Sequence, residues 1–278
     1  MMAGDSHMAH ASSLSQLLSA PDTEATMPVL FIGHGSPMNA IEDSEFSRAW
    51  AAAARSLPKP KAVLCISAHW ETEGTRVTAM EHPRLIYDFY GFPPALYEKR
   101  YPAPGSPDLA RTAQGLVRGT RIELDSDWGL DHGAWAVLCR MFPKADVPVV
   151  QLSLDLGKAP AFHYELGREL KRLRKKGVLV IGSGNIVHNL SEIEWADTAF
   201  DWALEFDARI KELILSGDHE AIIHYSRLGP SARLAVPTPE HFLPLLYVLG
   251  AQDESEGVEF FADKVTLGSM SMRSVRIG

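Results

Sequence analysis

Cysteine is scarce: the chain holds two among 278 residues, Cys65 inside an apolar run and Cys139 inside a helical stretch, in no CxxC spacing. That excludes a disulfide scaffold and a thiolate metal site, and it fits a reducing cytoplasm. Long apolar runs are lacking too; none approaches the roughly 18 residues of a membrane span. No Lys or Arg precedes Arg48, which excludes the basic start of a secretory signal and an Arg-rich transit peptide. Positive charge is in deficit overall, with 27 Lys and Arg against 35 Asp and Glu and a net charge of −8. Neither a nucleic acid nor an anionic membrane is the expected partner. Several catalytic signatures are missing as well. There is no GxxxxGK[ST] phosphate loop and no GxSxG elbow around Ser36, and GSGNIV lacks the third glycine of a dinucleotide fingerprint. The string nearest to HExxH is HEAIIH, His219 to His224. Its spacing of five residues turns a helix by about 500°, so the two rings leave a common face by about 140°.

Short, nearly all-apolar runs alternate with helix-length amphipathic segments. The runs are Pro28 to Ile32, Ala62 to Ser67, Val147 to Leu154 and Val178 to Ile181, and strands buried on both faces have this composition. Between them, Ser44 to Leu57 is Ala-rich and stops before Pro58, while Pro160 to Lys176 starts on proline and ends in KRLRKK before Gly177; both have proper helix boundaries. Asp197 to Leu215 predicts a third helix with Trp202, Phe206, Ile210 and Leu213 toward the core. EFFA and MRSVRI, close to the end, read as late strands at a sheet edge. The pattern predicts an α/β fold, a single-domain three-layer αβα sandwich with a mostly parallel central sheet. Residues 1–26 read as a disordered or vector-derived leader, and 27–278 as one domain. One stretch breaks the alternation: His82 to Pro107 is rich in Pro and aromatics, and it is expected either to wrap the core or to act as a binding loop.

Three of the apolar strands run into a histidine: His34 after PVLFIG, His69 after AVLCISA, and His188 a few residues beyond VLVIGSGN. In open α/β sheets ligands bind outside the carboxyl ends of the strands. A single such histidine is usually structural, but nothing in core packing asks for imidazole at that place three times. His132 in DWGLDHGAW and His241 in TPEHFLP sit in similar loops, His241 at a helix start with Thr238 as N-cap and Pro239 at the first position. His82, His163, His219 and His224 lack such surroundings and read as ordinary surface or helix histidines. An imidazole cluster without thiolate suits zinc, iron, copper or nickel. Two chemistries follow: hydrolysis by a zinc-activated water, or oxygen activation beside a substrate chelated to Fe(II).

At GHGSPMN, SAHW, WGLDHGAW, SGNIVHNL and PTPEHFLPLLYVLG, and in the closing GSMSMRSVRIG, the chain resembles the class III extradiol ring-cleavage dioxygenases of the DOPA 4,5-dioxygenase type, from about Met27 to Gly278. The resemblance implies a single α/β domain with a non-haem metal, Fe(II) for activity with zinc as an alternative occupant, and a catechol and O2 as partners. It implies His34 and His69 as metal ligands and His241 at the position where related enzymes supply a carboxylate. His188 matches the catalytic acid/base, or else a fourth metal ligand, and His132 bonds substrate or oxygen. In that reaction His188 takes the second hydroxyl proton and returns one as the O–O bond breaks, giving a ring-opened semialdehyde. A zinc hydrolase of the same fold and a non-catalytic metal-binding interaction protein are the alternatives.

Overall fold

The computed structural model describes residues 26–278, so the leader proposed for 1–26 lies, but for its last residue, outside the described residues. The strands are β1 (Val29–Gly33), β2 (Ala62–Thr72), β3 (Thr75–Thr78), β4 (Ile122–Asp125), β5 (Val149–Asp155), β6 (Val178–Gly184), β7 (Val258–Phe261), β8 (Val265–Thr266), β9 (Met270–Ser271) and β10 (Ser274–Ile277). Eight of them make one sheet in the order β4-β3-β5-β2-β6-β1-β10-β7, while β8 and β9 form a separate pair. Strands β5, β2, β6 and β1 are mutually parallel and carry the apolar runs read from the sequence. The late segments depart from expectation. Only β7 is an edge; β10 lies between β1 and β7, antiparallel to both.

Alternation along the strands feeds two cores. Val29, Phe31, Leu64, Ile66 and Val180 point to one face, against α2 (Pro107–Leu116), α4 (Pro160–Leu170), α5 (Asp201–Ser216) and α6 (Leu243–Gly250). Leu30, Ile32, Val63, Cys65 and Ile181 point to the other, against α1 (Glu45–Ser56) and α3 (His132–Met141). Both faces are covered, so the chain is a three-layer α/β domain. Local signals explain the helix ends. Ser44 and Ser47 form a reciprocal cap on α1, and α4 begins on Pro160. The basic run Lys171–Lys176 continues α4 as a 3₁₀ turn and stops at Gly177, whose φ of 82° is left-handed. Helix α5 starts four residues later than the sequence suggested, with Phe206, Ile210 and Leu213 buried as expected.

One histidine set aside as ordinary is fully buried: His163 on α4, whose Nδ1 lies 3.0 Å from the Tyr247 hydroxyl of α6. Burial pushes its pKa down to about 4. The unfolded chain, with a pKa near 6.5, therefore binds the proton first, and stability is lost as pH falls from about 6.5 toward about 4. We expect His163 to contribute about 3 kcal/mol to that loss at 1.36 kcal/mol per unit. Thermal or urea unfolding of wild type and His163→Gln across this range should show a flatter profile in the variant; parallel profiles would contradict the assignment.

Candidate active site

The carboxyl ends of β1, β2 and β6 meet α3 and the loop before α6, and each brings an imidazole. His34 follows β1 directly. His69 is inside β2, which runs on to Thr72; its pairing with β5 slips between Ile66 and Glu71, and this irregularity places the ring. His188 follows β6, its backbone N–H held by the Ala235 carbonyl at 2.9 Å. His132 opens α3 behind Asp131, the N-cap. His241 sits in a turn whose Pro239 carbonyl accepts from Phe242 and Leu243 N–H; the helix starts only at Leu243, so the expected cap at Thr238 is not formed. Two glycines permit this convergence. A Cβ on Gly133 would lie 2.4 Å from Ser67 Oγ and 2.9 Å from His69 Cδ2, and one on Gly184 would lie 2.1 Å from the His241 carbonyl oxygen. Any side chain there would displace His69 or His241.

The ring centroids of His34, His69 and His241 form a nearly equilateral triangle with sides of 5.0, 5.0 and 5.3 Å. His132 stands 4.0 Å from His69, and His188 stacks on His241 at 3.5 Å and 7°. All five histidines singled out from the sequence are thus one cluster. Their ligating atoms group in two ways: those of His34, His69 and His132 lie within 4.8 Å of one another, as do those of His188, Glu240 and His241. Outside the cluster, His219 meets the Tyr164 hydroxyl and His224 the Glu220 carbonyl.

Hydrogen bonds orient the donors. Ser183 gives its only hydroxyl proton to the Gly133 carbonyl, so its oxygen accepts from His34 Nδ1, 3.0 Å away. His34 Nε2 is left with a lone pair, directed at His69 Nε2 at 3.1 Å. His241 Nδ1 lies 3.1 Å from Glu240 Oε1, and its Nε2 is buried without a partner. Burial, followed by the neighbouring imidazoles, holds His34 and His241 well below the usual histidine range. His69 falls to about 3 and His188 to about 4, burial again leading. The rings are therefore neutral lone-pair donors, two of them with Nε2 turned inward, and this donor set fits one transition-metal ion.

Two carboxylates escaped sequence reasoning. Asp131 is fully buried; it accepts from Ser67 Oγ at 2.7 Å, from Gln151 and from Ala134 N–H, fixing the start of α3 and so His132. Its place directly before a helix start was a legible cap signal. Asp88 belongs to the His82–Pro107 stretch and had no such signal. Burial raises its pKa, but contacts from His132 and His69 outweigh burial and leave the carboxyl below its ordinary range. The same stretch lays Phe89 edge-on to His132 at 5.5 Å, while Tyr87 and Phe89 also lean on Trp135. The loop thus covers the core and also reaches the imidazole cluster. Tyr90, however, is 92% exposed.

Residues 28–278 match the family described as the catalytic LigB subunit of aromatic ring-opening dioxygenase. The 4,5-DOPA dioxygenase extradiol of Escherichia coli is 47% identical over 259 residues, 91% of this chain and 95% of that protein. The protein of the same name from Beta vulgaris is 41% identical over 88% of this chain and 94% of its own length. A crystal structure of an uncharacterized Escherichia coli protein superposes with a TM-score of 0.80 at 42% identity, covering 91% of this chain and all of that one. A match over nearly the whole described chain, joined to an imidazole cluster at the strand ends, settles the class: the chain belongs to the LigB family of aromatic ring-opening dioxygenases and is an oxidoreductase of the extradiol kind.

Proposed function

We propose that the chain opens the ring of an ortho-diphenol such as DOPA with O2, beside rather than between the two hydroxyl-bearing carbons, to a semialdehyde. The observation that carries this reading is the inward convergence of neutral imidazoles, with His34 Nε2 facing His69 Nε2 and His241 Nε2 buried without a partner. The relatives named 4,5-DOPA dioxygenase extradiol support DOPA as the substrate. Residues 27–278 would act as one catalytic domain. Two buried free cysteines, and no helix among the described residues long and apolar enough to cross a membrane, are compatible with a cytoplasmic location.

In this reading His34, His69 and His241 hold the metal. Bound Fe(II) would keep both catechol oxygens and O2 in one coordination sphere and pass electrons between them. The protein's own work is proton transfer and orientation. His188, half-buried and kept neutral by burial, takes a proton from the second hydroxyl and, once protonated, returns it to the departing oxygen. His132 bonds the substrate or oxygen from beside His69. Were zinc held instead, His188, whose ligating atom lies within 4.8 Å of that of His241, would serve as a further donor.

The test is oxygen consumption by protein reconstituted with iron under anaerobic conditions. Catechols, DOPA included, should give a yellow ring-opened product, whereas tyrosine and resorcinol-type meta-diols should be inert; equal rates with a meta-diol would contradict chelation through adjacent hydroxyls. The loop makes a further prediction. Phe89 packs on His132 and on Phe92 at 5.4 Å, so Phe89→Ala should raise KM roughly 2- to 12-fold, the worth of one aromatic contact. Tyr90→Ala, at an exposed position, should leave KM within about twofold. Steady-state kinetics with the reverse ranking would move the pocket wall elsewhere.

A further inference from the structure

The contacts of His34 fix its proton on Nδ1 and leave that of His69 open. His34 Nε2 has a lone pair, and His69 Nε2 lies 3.1 Å from it. If His69 carried its proton on Nε2, the two rings would bond to each other and neither nitrogen would be free. The other side of His69 decides. Its Nδ1 lies 3.3 Å from Asp88 Oδ2, and the same oxygen is 2.9 Å from His132 Nδ1, off the direction of a good hydrogen bond. Asp88 Oδ1 accepts the His132 backbone N–H at 2.9 Å. The aspartate's backbone cannot easily drift, because Ile86 N–H donates to the Leu130 carbonyl at 2.8 Å and Trp135 Nε1 donates to the Ile86 carbonyl at 3.0 Å.

An ionised carboxylate only accepts, so a ring nitrogen turned toward it is stable as N–H and unstable as a bare lone pair. At 3.3 Å the contact of His69 Nδ1 with Asp88 is electrostatic, and the carboxylate's full charge attracts an N–H more strongly than the lone pair of a neutral ring does. We propose that Asp88 is a positioning residue that holds the proton on Nδ1 of both His69 and His132, frees His69 Nε2 from His34 to act as a metal donor, and leaves His132 Nε2 as an acceptor toward the substrate. Anchoring α3 would require Oδ1 alone; the placement of Oδ2 between two imidazoles is what calls for this second role. The inference rests on the metal-centre reading and adds to it a link from the aromatic loop to one ligand.

Two measurements on the full chain test it. Long-range proton–nitrogen NMR of metal-free, ¹⁵N-labelled protein near pH 7.5, assigned with His69→Gln and His132→Gln, should show both rings with the proton on Nδ1. A proton on Nε2 of His69 in wild type overturns the proposal without touching the dioxygenase reading. Titration with cobalt(II) alone should then show Asp88→Asn binding roughly 10- to 100-fold more weakly than wild type, with an unchanged near-ultraviolet circular dichroism spectrum. Wild-type cobalt affinity in Asp88→Asn overturns it as well. Wild-type protein that binds no cobalt would instead sink the metal centre itself. Should Asp88→Asn not fold, the wild-type tautomers still decide.

Discussion

Replacing His188 with Ala or Asn is expected to lower turnover by ~10²–10⁴-fold, the usual worth of a general acid–base group, while metal content and catechol affinity stay close to wild type. The structure supports the role in three ways. The residue is half-buried just beyond β6, and its backbone is tied to Ala235 and Met270. It stacks flat on His241, beside the proposed metal. Burial, with His132 nearby, lowers its pKa to about 4, so near neutral pH it is an unprotonated base. A group that acts mainly in the transition state changes kcat more than binding. Single-turnover kinetics with metal-loaded variants checks this directly, and near-wild-type turnover would make His188 an auxiliary ligand or a packing residue.

Removing a metal donor should do more. His34→Ala, His69→Ala and His241→Ala are each expected to weaken metal binding by over ~100-fold, beyond the 10- to 100-fold attached to groups that merely orient a ligand, and to abolish oxygen uptake. His132→Ala should keep the metal and lose only part of the activity. The comparison matters because the geometry groups His132 as well as His241 with the first two rings. Titration of the four variants with iron(II) or cobalt(II) resolves it. Loss of metal from His132→Ala together with retention in His241→Ala would transfer the third donor to His132. Cys65→Ser and Cys139→Ser should leave metal content unchanged, since Cys65 lies in the β2 core and Cys139 inside α3.

What the sequence revealed follows from how local each signal is. Unbroken apolar runs marked β1, β2, β5 and β6 because strands covered on both faces have no polar alternation. The four-residue strands β3 and β4 are not legible in the sequence: TRVT and IELD are too short and too polar to stand out from the loops around them, β4 pairs only with β3, and β3 meets β5 at a single position. The extension of β2 past His69 was likewise hidden, since the irregularity at Ile66–Glu71 depends on β5. Histidines at strand ends were legible because topology alone brings such ends together. Asp88 was not, because its partners His69 and His132 are distant in the chain and meet only when the loop folds back. His163 lies on a helix as read, but its burial was not legible, because its partner Tyr247 sits on α6 and no helical period of α4 discloses it.

The most direct test of an imidazole-held metal that opens a catechol with O2 is isotopic. Iron-loaded protein given DOPA under ¹⁸O2 should consume oxygen and catechol one for one, and mass spectrometry of the ring-opened product should show both atoms of one oxygen molecule incorporated. Iron-loaded protein that consumes no oxygen with any catechol, or that forms a quinone without labelled oxygen in the carbon skeleton, would contradict it.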